Sequence, residues 1–209
     1  YTEENTLSLH DALPISRMGK ISQHGVFLEN EIPIVPTRIV YTKEQALSQN
    51  WEYPIIAKHE KGYQGKSVRK FDSQEEIEKF VNKINEKNLG MFLWQKCLPT
   101  RWDIRVVIVE GKAIGGMKRS AVGEEFRSNF SLGGKVEEWK LSDEERNLAE
   151  KVAKVCGLDY AGVDIMKDEN DKNYILEVNR QCQFQGFEKS TGINVGRAIV
   201  EMFLAKNQI

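Results

Sequence analysis

Three oxygen-bearing side chains, Asp164, Glu177 and Asn179, have the spacing that most directly suggests chemistry. Asp164 lies in an apolar run at residues 161–165, and the other two end a second apolar run after a polar turn at 167–173. Two such runs joined by a turn predict an antiparallel hairpin. Side chains alternate between the faces of a strand, so all three would share one face. Hard oxygen ligands of this kind favour Mg²⁺ over zinc.

The alternative interpretation of this hairpin is a solvated face that holds no ligand. The flanking apolar residues argue against it, because they alternate with the polar ones and are predicted to be buried: Val163, Ile165, Leu176 and Val178. A carboxylate beside a buried strand needs a partner, since burying an unpaired charge is costly. We therefore expect a metal site.

A lysine near a glycine-bearing loop is a candidate phosphate ligand. Lys58 follows a short apolar run and precedes Gly62 and Gly65. A compact cation and glycine amides can approach the same phosphate oxygens. The loop is neither a Walker A sequence nor a GxGxxG motif, so the sequence does not predict a P-loop or Rossmann host. An exposed lysine beside glycines is the alternative.

Three arginines are predicted to converge on the carboxylates. Asp103 and Arg105 share one face of a strand, Arg119 ends the partner strand of that hairpin, and Arg127 follows on a polar loop. Arginine binds phosphate through paired donors, so this cluster would suit a metal-bound polyphosphate. Salt bridges at the rim of the site are the alternative.

Composition limits the class of protein. The 209 residues are 40% hydrophobic and 29% charged, which is enough for a core in one domain or two subdomains. The net charge of −1 predicts neither a nucleic-acid nor a membrane partner, and no apolar run is long enough to span a bilayer. The cysteines, Cys97, Cys156 and Cys182, form no CxxC pair and predict reduced thiols in a cytoplasmic protein.

The first residues do not resemble the rest of the chain. Residues 6–15 match one translated frame of a common short-read sequencing adapter. We expect residues 1–16 to be a non-native tail in which His10 and Asp11 carry no function, and we expect an upstream domain to have been lost. An ordinary N-terminal tail is the alternative.

The remaining patterns predict mixed elements without a regular βαβ alternation. Helices are predicted after capping boxes at Thr42 with Gln45, Ser73 with Glu76, and Ser142 with Glu145. A last helix is predicted to bury Val195, Ile199, Met202 and Phe203 on one face. This mixture favours an α+β class with largely antiparallel sheets.

Several segments also follow one another in a characteristic order: Lys20 before 32–33, then 54–58, 103–106, 126–129 with 133–134, 161–164, 177–179 and 186–192. This order and spacing resembles the ATP-grasp superfamily and, within it, RimK-type ligases, which add glutamate to a carboxyl terminus or a carboxylated substrate. The likeness covers residues 17–205. It implies two α+β subdomains that clasp ATP, at residues 17–94 and 95–209.

The resemblance also implies roles for individual residues. The phosphates would be held by Lys20 and Lys58, with the glycine loop at Gly62 and Gly65. The adenine edge would be bound by the backbone of a hinge at Gln95, Lys96 and Cys97. Asp103 would contact the nucleotide, as would a loop that contains Arg127, Ser128 and Asn129. The metal ligands would be Asp164, Glu177 and Asn179, in agreement with the alternation along the hairpin.

The implied reaction is an ATP- and Mg²⁺-dependent ligation, with Mn²⁺ as an alternative cation. A small-molecule or peptide carboxylate attacks the γ-phosphate to give an acyl phosphate, which an amino acid or another amine converts to an amide. Arg105, Arg119 and Arg127 would neutralise the charge that develops. A non-catalytic ATP-binding module and an ATP-grasp kinase are the alternatives.

One segment departs from the pattern of these ligases. Many of them have small residues and a proline after the Asn179 position, whereas this chain has the run 180–185, with glutamines and Cys182. We expect a substrate pocket of different size and polarity, with Cys182 as a wall. This difference argues against glutamate as the substrate, and the sequence indicates no oligomeric state.

Overall fold

The computed structural model describes residues 19–62, 67–123 and 134–207. The strands are β1 (Thr37–Arg38), β2 (Ile55–His59), β3 (Val68–Phe71), β4 (Phe92–Lys96), β5 (Trp102–Val109), β6 (Lys112–Ser120), β7 (Lys135–Trp139), β8 (Tyr160–Lys167) and β9 (Asn173–Asn179). The helices are α1 (Lys20–Glu29), α2 (Lys43–Ser48), α3 (Gln74–Lys83), α4 (Asp143–Val155), α5 (Gln185–Thr191) and α6 (Val195–Asn207), with a 3₁₀ segment at Glu86–Met91.

The smaller sheet has the strand order β1-β4-β2-β3, and its paired strands are antiparallel. Alternation along β2 places Ile55 and Ala57 in a hydrophobic core that includes Trp94 of β4. Ile56 and Lys58 therefore point to the opposite face, where both line a cleft.

The larger sheet has the order β7-β6-β5-β8-β9, again with antiparallel neighbours. One face packs in a core that contains Ile104, Val163 and residues of α4. The other face packs Val107 against Phe187 of α5 and Val195 of α6. The α+β class with antiparallel sheets, predicted from the sequence, is confirmed.

Helix caps follow the sequence signals closely. Two predicted capping boxes are confirmed, at Thr42 with Gln45 and at Ser142 with Glu145. The third predicted box, at Ser73 with Glu76, differs in the backbone N–H that the glutamate side chain accepts from. Ser73 accepts from the backbone of Glu76 as predicted, but Glu76 Oε2 accepts from the backbone N–H of Asp72, at 2.8 Å. The side chain still satisfies a backbone donor at the helix start, one residue earlier.

Two helices differ from the sequence interpretation. The prediction for α6 is wrong at Phe203, which is 58% exposed, although Val195 and Met202 are buried and Ile199 is partly buried as expected. Helix α1 was not predicted, because Gly19 at its N-cap provides no side-chain hydrogen bond and therefore no capping signal. None of the helices in the described ranges is long and apolar enough to cross a membrane.

Candidate active site

A cleft of about 850 Å³ is lined by residues of both sheets. The smaller sheet contributes Lys58 and Gln95, and the larger sheet contributes Arg105, Arg119 and Asp164. Basic and acidic groups from distant parts of the sequence therefore face one cleft. A cleft with a few convergent polar groups is the usual form of a binding site.

The predicted hairpin of β8 and β9 is confirmed. Asp164 lies opposite Glu177, and Gly162 lies opposite Asn179. Asn179 Nδ2 donates to Glu177 Oε1 at 3.0 Å. Asp164, Glu177 and Asn179 all line the cleft. The structure brings the three side chains together, and their role as metal ligands stays a prediction.

An irregularity in this hairpin corrects one expectation. The register shifts beside Asp164, so that Ile165 pairs with Ile175 while Asp164 pairs with Glu177. Leu176 is the additional residue of a bulge, and it lines the cleft instead of being buried in the core. The prediction that Leu176 is buried is therefore wrong, because its side chain is only partly buried. The same bulge lets Ile175 face the core while Glu177 faces the cleft.

Asp164 is surrounded by guanidinium groups. Arg105 donates from Nε and Nη2 to its two oxygens, each at 2.7 Å, and Arg119 Nη2 lies 2.9 Å from Oδ2. Arg119 Nε also donates to Asp103 Oδ1 at 2.6 Å. Burial alone would raise the pKa of Asp164, but the two arginines lower it to about 2. The carboxylate is therefore ionised across the physiological range.

These groups fit a magnesium ion that also binds phosphate. In the described part of the chain, three or more side chains drawn only from His, Cys, Asp and Glu nowhere form a group that could hold a metal. The set here has two carboxylates and the amide of Asn179. Mg²⁺ commonly takes one or two carboxylates together with substrate phosphates and water. An ionised carboxylate that accepts from Arg105 and Arg119 still has acceptor capacity, since its two oxygens offer about four lone-pair sites.

Lys20 is positioned by contacts that the sequence did not predict. The Gln23 side chain donates to the Val178 carbonyl and accepts from the Val178 N–H, both at 3.1 Å, which ties α1 to β9. Lys20 Nζ then donates to the Gly62 carbonyl at 2.7 Å and lies 3.3 Å from Glu177 Oε2. Nothing in the local sequence signals these hydrogen bonds, because their partners lie 42 positions apart for Lys20 and 155 positions apart for Gln23.

Lys58 is a half-buried cation that faces the cleft. Among the described residues, no carboxylate lies within salt-bridge distance of it. Burial lowers its pKa, with Glu177 opposing and Lys20 adding to that effect. A cation in this position is suited to an anionic ligand, and its location differs from that of an exposed surface lysine.

The predicted hinge also lines the cleft. Gln95 is 2% exposed, and the backbone N–H of Cys97 donates to the Pro54 carbonyl at 2.9 Å. The Lys96 side chain is exposed and pairs with Glu52 at 2.9 Å, and the Lys96 backbone N–H donates to the Pro36 carbonyl at 3.3 Å. Four other predicted nucleotide contacts lie outside the described residues: Gly65, Arg127, Ser128 and Asn129.

Cys182 lines the cleft, as expected for a pocket wall. Its Sγ lies 3.1 Å from the Tyr160 hydroxyl, which donates to the Cys182 carbonyl at 2.8 Å. Burial raises the pKa of the Cys182 thiol. A Cβ on Gly162 would lie 2.5 Å from Cys182 Cβ, which explains why this strand position is a glycine.

A family model described as a RimK-like ATP-grasp domain matches residues 18–203. The chain belongs to the RimK-like ATP-grasp family. The family match covers both sheets and every described residue of the cleft. The ATP-grasp fold expected from the motif order is thereby confirmed.

Curated relatives of this RimK-like chain are named as ligases. A probable alpha-L-glutamate ligase of Aeromonas salmonicida is 31% identical over 211 residues, with 97% of this chain and 69% of the relative covered. One of Legionella pneumophila is 35% identical over 149 residues, with 71% of this chain and 49% of the relative covered. The chain thus spans from about half to about two thirds of the length of these relatives.

Solved structures share the fold at lower identity. The ATP-grasp ligase PsnB, complexed with precursor peptide PsnA2 and AMPPNP, has a TM-score of 0.71 and 21% identity over 93% of this chain and 60% of its own. A RimK domain ATP-grasp protein from Sphaerobacter thermophilus has a TM-score of 0.71 and 17% identity over 90% of this chain and 68% of its own.

Proposed function

We propose that this RimK-like domain is the catalytic core of an ATP-dependent carboxylate–amine ligase that acts through an acyl phosphate. The observation that carries the proposal is the meeting of three oxygen side chains on the hairpin with Lys58, Arg105 and Arg119 in one cleft. The names of the curated relatives, probable alpha-L-glutamate ligases, support a ligase over the two alternatives.

The basic side chains of the smaller sheet and of α1 bind the polyphosphate in this proposal. Lys58 faces the cleft without an ion-pair partner among the described residues, so a phosphate can take that place. Lys20 holds the end of the glycine loop through the Gly62 carbonyl. A phosphate near Lys20 would therefore lie beside the glycine loop. Gly65, Arg127, Ser128 and Asn129 complete the nucleotide contacts in this proposal.

Asp164, Glu177 and Asn179 are the proposed ligands of a magnesium ion, with Mn²⁺ as a substitute. The bound cation would supply positive charge at the β- and γ-phosphates. The protein's part is to present these oxygens on one face, in a spacing set by the register of β8 and β9. A structure of the ATP-grasp ligase PsnB is a complex with Mg and ADP.

Arg105 and Arg119 neutralise charge during phosphoryl transfer in this account. Arg105 uses Nε and Nη2 to bind Asp164, which leaves Nη1 available for a phosphate oxygen. No covalent nucleophile from the protein is needed, since the substrate carboxylate attacks the γ-phosphate and an amine then displaces phosphate from the acyl group. Positioned charges of this type contribute about 10²-fold or more in rate.

The substrates are a carboxylate, either a small molecule or a peptide, and an amino acid or another amine. The pocket wall after β9 presents neutral groups, with Gln181, Cys182, Gln183 and Gln185 lining the cleft. This wall favours substrates that present hydrogen-bonding groups next to the reacting carboxylate. All three cysteines are unpaired, which supports a reducing, cytoplasmic setting.

The direct test is phosphate release from Mg·ATP with added carboxylates and amines, followed by mass spectrometry of the products. The ligase proposal expects release that requires both co-substrates, together with an amide product. ATP binding without release for any pair would favour the non-catalytic module. A stable phosphorylated product without an amide would favour the kinase.

A further inference from the structure

We propose that the Lys20 ammonium competes with the metal ion for Glu177, so that the cation binds tightly only when a nucleotide phosphate draws Lys20 away. Binding of nucleotide and of metal is then coupled through one side chain. This inference rests on the proposed metal and phosphate sites. It goes beyond them because it gives Lys20 a second role, at the metal carboxylate, besides holding phosphate.

The position of Lys20 beside Glu177 is fixed by the docking of α1 on β9. Gln23 donates to the carbonyl and accepts from the N–H of Val178, which lies between Glu177 and Asn179 in the strand. Lys20 lies three positions before Gln23, so both side chains are on one face of the helix. Lys20 Nζ lies 3.3 Å from Glu177 Oε2. The ion pair therefore follows from how α1 sits on β9, and not from a chance meeting of two flexible side chains.

Helix α1 is anchored on both sides of this contact. Phe27 is completely buried, in a core that also contains Val163 of β8. At the other end, the backbone N–H of Ile21 donates to Glu60 Oε2 at 2.6 Å. The first N–H groups of a helix lack partners within the helix, so a carboxylate there stabilises the helix start. The backbone at Lys20 is thus held in place, and only its side chain needs to move.

Both oxygens of Glu177 already have a neighbour. Oε1 accepts from Asn179 Nδ2 at 3.0 Å, and Oε2 faces Lys20 Nζ. The side chains of Lys20 and Glu177 are 19% and 28% exposed, so salt screens this pair less than it screens a pair on the open surface. Two cations at one carboxylate repel each other. A metal ion and Lys20 therefore compete for Glu177.

A phosphate group resolves this competition. Lys20 Nζ also donates to the Gly62 carbonyl at 2.7 Å, and an ammonium has three donors. Lys20 can therefore keep Gly62 and exchange Glu177 for a phosphate oxygen in the same cleft. Burial lowers the pKa of Lys58, Glu177 opposes this effect and Lys20 adds to it, so the three charges interact. Two lysines thus share one carboxylate, and a polyphosphate supplies further negative charge.

The coupling has a definite sign. A nucleotide that takes Lys20 away increases the affinity of Glu177 for the metal, and by linkage the metal increases the affinity for the nucleotide by the same factor. A neutral side chain in place of Lys20 is therefore expected to have opposite effects on the two ligands. Metal without nucleotide binds more tightly, and nucleotide binds more weakly. A lysine that only holds phosphate would produce the second effect alone.

The test measures binding of Mn²⁺ alone, by the electron paramagnetic resonance signal of the free ion, to wild type and to three variants. We expect Lys20→Met to bind Mn²⁺ about tenfold more tightly than wild type, because a like charge next to Glu177 is removed. Lys20→Arg keeps the charge and is expected to bind like wild type. Lys70→Met is the matched control, since Lys70 lines the same cleft but pairs with Asp72 at 2.7 Å, and we expect no change.

A measurement on wild type covers the case in which Lys20→Met fails to fold. Acetic anhydride modifies free amines, and mass spectrometry of the digested chain gives the rate at each lysine. We expect Mn²⁺ alone to increase the rate at Lys20, because the amine loses Glu177, and Mg·ATP to decrease it, because phosphate then holds the amine. Lys151, on the exposed surface of α4, is the internal reference.

The outcomes separate this inference from the proposed function. Mn²⁺ binding to folded Lys20→Met that is no tighter than to wild type would overturn the inference and leave the metal site intact. A rate of Lys20 modification that does not rise with Mn²⁺ would also overturn it. The proposed function fails in a different way, if Mg·ATP does not bind to wild type.

Discussion

Arg105 donates two parallel hydrogen bonds to Asp164, from Nε to Oδ1 and from Nη2 to Oδ2, each at 2.7 Å. The pair spans neighbouring strands at a point where the two residues lie opposite each other in register. This geometry fixes the carboxylate plane while leaving one edge of the guanidinium for other acceptors. A proposed metal ligand and a proposed phosphate ligand are thus joined as one rigid unit.

Replacement of Arg105 tests this unit. We expect Arg105→Lys to lower turnover by about 10²-fold, because lysine keeps the charge but cannot donate two parallel bonds. Steady-state phosphate release measures the effect. Arg197→Lys is the matched control, since Arg197 is exposed and pairs with Glu201 on α6. Wild-type turnover in the Arg105 variant would contradict the proposed role.

Glu177 tests the metal site. We expect Glu177→Gln to weaken Mg·ATP binding and to abolish turnover without altering the fold, because it removes a charge but little volume. Calorimetry and a thermal unfolding curve measure these two properties separately. Glu138→Gln, at an exposed position of β7, is the control. Normal turnover in Glu177→Gln would remove Glu177 from the metal site.

Lys58 tests the phosphate site. We expect Lys58→Ala to weaken ATP binding, because a partly buried cation that faces the cleft is lost. Lys151→Ala, on the exposed surface of α4, controls for the change in net charge. Affinity equal to wild type in the Lys58 variant would support the earlier alternative of a lysine without function.

His24 gives a prediction for the pH dependence of stability. Its pKa is about 4 in the folded chain, compared with 6.5 ordinarily, so the unfolded chain binds the proton more strongly. The contribution of neutral His24 to the free energy of unfolding is complete above pH 6.5. It decreases as the pH falls towards 4, by about 3 kcal/mol in all.

Urea unfolding between about pH 7 and about pH 5 measures this effect. His24→Gln cannot be protonated, so its free energy of unfolding is expected to fall less over that interval than that of wild type. Identical pH slopes for the two proteins would show that His24 is not protonated differently in the folded and unfolded chains.

The hairpin was predictable from sequence because its signals are local. Alternation with a period of two and a polar turn determine which face each side chain takes, so Asp164, Glu177 and Asn179 could be grouped before any coordinates. Capping boxes are equally local, and two of three are confirmed. Arg105 and Arg119 converge because they lie on the paired strands β5 and β6, and because β8, which contains Asp164, pairs with β5.

The parts that could not be predicted depend on distant contacts. The bulge at Leu176 arises from pairing with β8, and its own sequence does not signal it. Gln23 and His24 lie on a helix without a capping signal, and their partners are in strands far along the chain. A glutamine or histidine at such a position has no recognisable periodicity, so tertiary packing alone determines its role.

The most direct test of the account is a crystal structure of the chain with Mg²⁺ and a non-hydrolysable ATP analogue, in which the distances from the metal to protein oxygens are measured. The account predicts a cation about 2.1 Å from oxygens of Asp164, Glu177 and Asn179, and also bound to phosphate. A cation held elsewhere, with Asp164 bonded only to its arginines, would contradict it.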